Sequence, residues 1–185
     1  NIRPVRPDET IIRFRHAFRG MGGDFHFDRL DARISWLGRG WRPRDLVAVR
    51  AQLGQAYNTR PELPLRETFA LGGAGAVKGY RYEEFRGRGI EMAAAEYRLA
   101  VPFSFAWQEA GFELRRTYLL ACAEAGRIDE SWFRPATGVK PGVGAGIRLE
   151  IGVFARYTGS VQFYAAQAEG VSTRRPVVYF ITDLK

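Results

Sequence analysis

Lysine is nearly missing from a strongly basic chain. Of 28 cationic residues, only Lys78, Lys140 and Lys185 are lysines, and the rest are arginines. Arginine suits fixed, forked contacts and lysine a compact mobile charge, so each lysine stands out. Cysteine is scarcer still. A single Cys122 excludes an intrachain disulfide framework and neither requires nor excludes an oxidising compartment. It falls among small residues and reads as an inert packing thiol. The two histidines, His16 and His26, have no cysteine or acidic partners at ligand spacing, which argues against a metal centre. No apolar run approaches the ~20 residues of a membrane-spanning helix. No signal peptide is recognisable, and the chain begins at Asn1 without a methionine, as a processed or excised segment would.

What is present is apolar and strand-like. With 185 residues and 46% hydrophobic content, the chain can form one compact domain. The formal net charge of +8 would ordinarily point to nucleic acid or anionic lipid. The arginines, however, are not gathered on one helix or tail. They recur at every second position within apolar segments, as in Ile11-Ile12-Arg13-Phe14-Arg15, which places them on one face of strands. Aromatic residues such as Phe14, Phe18, Trp36 and Tyr97 fall on the opposite face. Nucleic-acid binding would need them interleaved with the basic face, so no nucleic-acid partner is expected.

Strand-like windows cover roughly Thr10–Arg19, Asp24–Leu37, Asp45–Tyr57, Ile90–Val101, Glu113–Gly126, Gly142–Ile151, Val161–Ala168 and Pro176–Asp183. Their lengths cluster near the ~9–11 residues of a tilted transmembrane strand. Turn formers separate them at Met21-Gly22-Gly23, Gly38-Arg39-Gly40 and Pro141-Gly142. Two links are longer, Asn58–Gly89 and Arg127–Lys140. Residues 1–8, rich in proline and arginine, read as a linker or loop end. Residues 9–185 read as a β-domain with a long loop at about 58–89. The alternation is clearest in Gly142–Ile151. Its odd positions are Val143, Ala145, Ile147, Leu149 and Ile151, and its even positions are glycines, Arg148 and Glu150. Periodicity alone leaves a lipid-facing barrel and a soluble β-barrel or sandwich equally open.

The glycine-rich stretch Phe69-Ala-Leu-Gly-Gly-Ala-Gly-Ala-Val-Lys-Gly-Tyr80 delivers one cation, Lys78, with little cover of its own. It lacks the glycine before the lysine and the Ser/Thr after it that a phosphate-binding loop requires. The stretch resembles the loop signature of the Omp-eighty-five superfamily of outer-membrane barrels (bacterial surface-antigen, BamA-like, TamA-like and FhaC-like proteins). Gly72 and Gly73 match its Leu-Gly-Gly. Val77-Lys78-Gly79-Tyr80 matches its Val-Arg-Gly-Tyr/Phe, with lysine for arginine. Phe27-Asp28-Arg29-Leu30-Asp31-Ala32-Arg33, Ala95-Glu96-Tyr97-Arg98-Leu99, Ala123-Glu124-Ala125-Gly126 and Val143-Gly-Ala-Gly-Ile-Arg-Leu149 resemble further family segments, in family order. They correspond to the C-terminal half of a family barrel.

The resemblance implies an all-β, antiparallel transmembrane β-barrel in the bacterial outer membrane, with about eight strands here, completed by further strands or a second copy. It implies insertion of outer-membrane proteins or polypeptide secretion, without catalysis or cofactor. The partners would be outer-membrane lipid, a client or secreted polypeptide, and periplasmic domains or strands preceding Asn1. In the family the loop arginine reaches acids on the lumen wall. Carried over, Lys78 would contact Glu96, Glu124 or both. Lysine for arginine implies a weaker, less directional lock, completed by an arginine such as Arg98 or Arg116. Arg29, Arg33, Arg50, Arg98, Arg116 and Arg148 would line the lumen. The family usually ends on an aromatic residue, whereas this chain ends Asp183-Leu184-Lys185. Two other readings remain: a passive barrel anchoring or exporting a fused N-terminal domain, and a soluble basic β-domain binding an anionic ligand.

Overall fold

The computed structural model describes residues 8–18, 25–58, 63–107, 111–129, 138–154, 157–168 and 176–184. The proline-rich start and the Met21-Gly22-Gly23 turn lie outside them. The alternating segments form strands β1 (Glu9–Ala17), β2 (Phe27–Arg39), β3 (Leu46–Asn58), β6 (Gly89–Val101), β8 (Phe112–Asp129), β9 (Lys140–Val153), β10 (Tyr157–Ala168) and β11 (Val177–Leu184). They pair antiparallel in the order β1-β2-β3-β6-β8-β9-β10-β11. Three short strands lie within the connections. β4 (Phe69–Leu71) pairs with β5 (Phe85–Gly87) inside the long loop, and β7 (Phe105–Trp107) pairs with the start of β8. Pro141-Gly142 is not a turn. Both residues sit at the start of β9, Pro141 opposite Ala125, where a missing N–H is tolerated.

The two faces divide as the alternation requires. Outward, Leu99 is in register with Leu119, Leu119 with Ile147, Ile147 with Phe163 and Phe163 with Phe180, giving one apolar row across five strands. Leu119, Ile147, Phe163 and Phe180 are 43–63% exposed. An apolar band of that breadth is unstable in water and suits lipid. Inward lie Arg29, Asp31, Arg50, Arg98 and Glu124. One register shift, between Leu114 and Arg116, marks a β-bulge that reverses the parity at the start of β8.

The sheet curls around the loop. Tyr164 on β10 donates a hydrogen bond to Glu96 on β6, three places away in strand order. At the ~4.8 Å spacing of paired strands, a flat sheet would keep those groups apart. β1 and β11 are the two ends of the order, with no pairing between them among the described residues. The inner face is filled in two layers. Phe69, Leu71, Val77 and Tyr80 of the loop pack on Ala56, Ile90, Met92 and Ala168 of the wall. Nearer the other end, Tyr118, Leu120, Cys122 and Tyr164 form a second apolar cluster.

The connection between β2 and β3 is held by a buried carboxylate. Asp45 accepts from the Tyr97 hydroxyl at 2.5 Å and from the Ala100 N–H at 2.9 Å, extending the ladder beyond the end of β3. The Tyr97 hydrogen bond, helped by that of Ala100, holds the Asp45 carboxyl below its ordinary range. Its stabilisation is therefore full at neutral pH and fades only as pH falls through that lowered value. Asp45→Ala should lower stability at neutral pH, because it leaves two donors without their acceptor. The Asp45→Ala denaturant midpoint, measured at neutral and acidic pH, should show the deficit shrinking in acid.

Candidate functional site: the loop latch

The long loop enters the curled sheet because its backbone can adopt what the turn requires. Gly72, Gly73 and Gly79 have φ of 114°, 91° and 92°, the left-handed region that favours glycine. At Gly79 a side chain would also collide with the backbone of Gln167 and Ala168 on β10. A side chain on Gly142 of β9 would strike the Lys78 carbonyl. The glycines on wall and loop thus let two backbones meet. Val77 is fully buried and Tyr80 is 3% exposed, so both motif residues anchor the loop by packing.

Lys78 is 3% exposed and Glu124 is 5% exposed. The Lys78 Nζ lies 2.5 Å from Glu124 Oε1, and the Lys78 backbone N–H donates to Oε2 at 2.6 Å. One residue therefore grips both carboxylate oxygens. This corrects the expectation of a less directional lock: the main chain supplies the second prong that lysine's side chain lacks. Arg50 on β3 adds a third contact, 3.3 Å from Oε1.

Glu96 plays a different part. Its carboxylate is held by Arg98 Nε at 2.6 Å and by the Tyr164 hydroxyl. Lys78 reaches it only indirectly, with Nζ 4.8 Å from the centre of the Tyr164 ring. The result is an alternating series, Arg50, Glu124, Lys78, Tyr164, Glu96 and Arg98, running across the inner face. It borders a small cavity of about 60 Å³ that Arg148 also lines. With Lys78, Glu124 and Arg98 all buried, each charge depends on its neighbour.

The other arginines are distributed by depth. Arg29 is buried, and Arg148 sits 3.5 Å from Glu150. Arg33 pairs with Asp31 at 3.2 Å and stays half-exposed near the β1 edge. Arg116 stands in register with Glu150 at the short-turn end and takes no part in holding Glu124.

Sequence reasoning overlooked a second anchor of opposite sign. Glu67, in a single 3-10 turn at Leu65–Glu67, is buried on the inner face. It lies 3.0 Å from Arg15 on β1 and 3.4 Å from Arg29 on β2, whose guanidinium covers the Phe69 ring at 4.0 Å. At the other edge, the Tyr179 hydroxyl of β11 accepts from the Gly79 N–H at 3.1 Å and donates to the Tyr80 carbonyl at 3.0 Å. The loop thus spans from β1 to β11 and ties the two end strands to one body. Tyr164 and Tyr179 could have been found from strand parity. Glu67 could not, since a loop carries no alternation.

The model of the Omp85 superfamily domain matches residues 9–157. A search of curated proteins found no match. The chain belongs to the Omp85 superfamily, a family of outer-membrane β-barrels at work in membrane-protein insertion and secretion.

Proposed function

We propose that this chain is the loop-bearing part of an outer-membrane barrel that inserts client β-barrels or passes polypeptides, and that it performs no catalysis itself. The two-pronged grip of Lys78 on Glu124 supports the reading most strongly. It adds a charged, non-covalent tie to the apolar packing of Val77 and Tyr80, so the loop is held by contacts that can be released. With the loop seated, the interior is packed and closed to a polypeptide. With it withdrawn, the tie between β1 and β11 is lost, and the end strands are free to separate for a client strand. A passive anchor would have no need of a latch that joins its two ends.

Proteoliposomes test this directly. Vesicles carrying the chain, with whatever natural segments precede it, should accelerate folding of a small outer-membrane barrel over empty vesicles. A reversible disulfide between cysteines at positions 78 and 124, in a Cys122→Ser background, should abolish the acceleration, and reduction should restore it. Acceleration indifferent to the crosslink would remove the latch from the mechanism. No acceleration in either state, and no passage of polypeptide, would leave the barrel as an anchor.

A further inference from the structure

The loop holds the two end strands by ties of different kinds. Toward β1 the tie is ionic and remote from the latch. Glu67 meets Arg15, whose side chain is half-exposed, and is held separately by Arg29 on β2. Glu67 stands eleven positions before Lys78, and β4 lies between them, packed through Phe69 and Leu71. Toward β11 the tie is neutral and immediate. Gly79 and Tyr80 directly follow Lys78, and the Tyr179 hydroxyl bridges the Gly79 N–H and the Tyr80 carbonyl.

Two consecutive backbone N–H groups therefore reach two different strands. That of Lys78 donates to Glu124 on β8, and that of Gly79 to Tyr179 on β11. Tyr179 is placed for this by register. It lies beside Tyr164, whose ring faces the Lys78 Nζ, and it packs against the second apolar cluster. On its other side Gly79 meets the backbone of Gln167 and Ala168 at the end of β10. When Lys78 leaves Glu124, the turn that carries both N–H groups is freed, and a main-chain shift of about 1 Å breaks hydrogen bonds of this length. Beyond those bonds and its inward packing, β11 is held by β10 alone among the described residues.

We infer that Tyr179 is the positioning residue that passes the state of the latch to β11. With Lys78 seated, β11 is held. With Lys78 released, β11 loosens, while β1 stays tied through Glu67. The inference rests on the proposed reading that the loop is released in use, and it names which end strand answers first.

Hydrogen exchange of the chain in micelles, read peptide by peptide by mass spectrometry, tests this without a client. Cysteines at positions 78 and 124, in the Cys122→Ser background, supply both latch states. Reduction should speed exchange in β11 about tenfold, near the effect of losing two hydrogen bonds, and leave β1 unchanged. Adding Tyr179→Phe, which keeps the ring, should make β11 exchange fast in both states, with the gel shift of the folded barrel retained. Exchange in β11 that ignores reduction while Tyr179 is present, or that still follows reduction after Tyr179→Phe, would overturn the inference. Equal loosening of β1 and β11 would overturn it too, since release would then pass through the whole loop. A β11 that follows the latch in a chain that does not speed client folding would support this coupling and sink the insertion reading alone.

Discussion

Lys78→Ala should destabilise the folded barrel by about 3–5 kcal/mol, the cost of leaving a buried charge without its partner. An exposed ion pair of the same type would contribute about 0–1 kcal/mol, so the measurement separates a buried latch from a surface loop. The site explains the size. Glu124 is 5% exposed and would keep only Arg50 at 3.3 Å and one backbone N–H. Lys78→Arg should be tolerated, since the small cavity beside Nζ gives room and the Tyr164 ring gives a surface to stack on. Denaturant unfolding in micelles, followed by the gel shift of folded barrel, supplies the free energies. A double-mutant cycle with Glu124→Ala should be strongly non-additive, because the second change removes the stranded charge. Additive costs, or a Lys78→Ala loss within the range of a surface pair, would refute the latch.

A charge placed on the outer face should be nearly as damaging. Ile147 lies mid-strand in β9 between Leu119 and Phe163, within the apolar row. Ile147→Arg should cost about 2–4 kcal/mol if that row lies near the bilayer midplane. Arg148→Ala, one residue along but on the inner face, removes a 3.5 Å contact with Glu150 and should cost clearly less. The comparison is made in lipid bilayers, because detergent adapts to a misplaced charge more readily than a bilayer. Equal costs, or the reverse order, would mean that the assigned faces are wrong.

The latch and the apolar row serve one requirement. A curled sheet in lipid cannot leave backbone N–H and C=O groups unpaired at its ends. In this chain β1 and β11 are not joined to each other among the described residues, yet both are tied to the same loop, through Arg15 with Glu67 and through Tyr179 with Gly79 and Tyr80. The loop thus holds the curvature of the sheet from within, between two end strands that do not pair with each other among the described residues.

The sequence by itself determined whatever depends on a repeating local rule. Side chains alternate along a strand, so the eight long strands, their two faces and the inward parity of Glu96, Glu124 and Arg148 could be read directly. The glycine pattern around Lys78 identified a backbone that must turn and approach another closely. Where the alternation breaks, the reading broke with it. The bulge at Arg115 reverses parity over a single residue, and the short strands β4, β5 and β7 are too brief to show a period. Only the tertiary structure decided which charges meet. Glu96 and Glu124 share a face and neighbouring strands, yet curvature and strand register give Glu124 to Lys78 and Arg50, and Glu96 to Arg98 and Tyr164. Glu67 finds Arg29 across 38 residues of chain because the loop folds back into the sheet. A pairing of that kind depends on distances in space, and alternation along the chain carries no record of them.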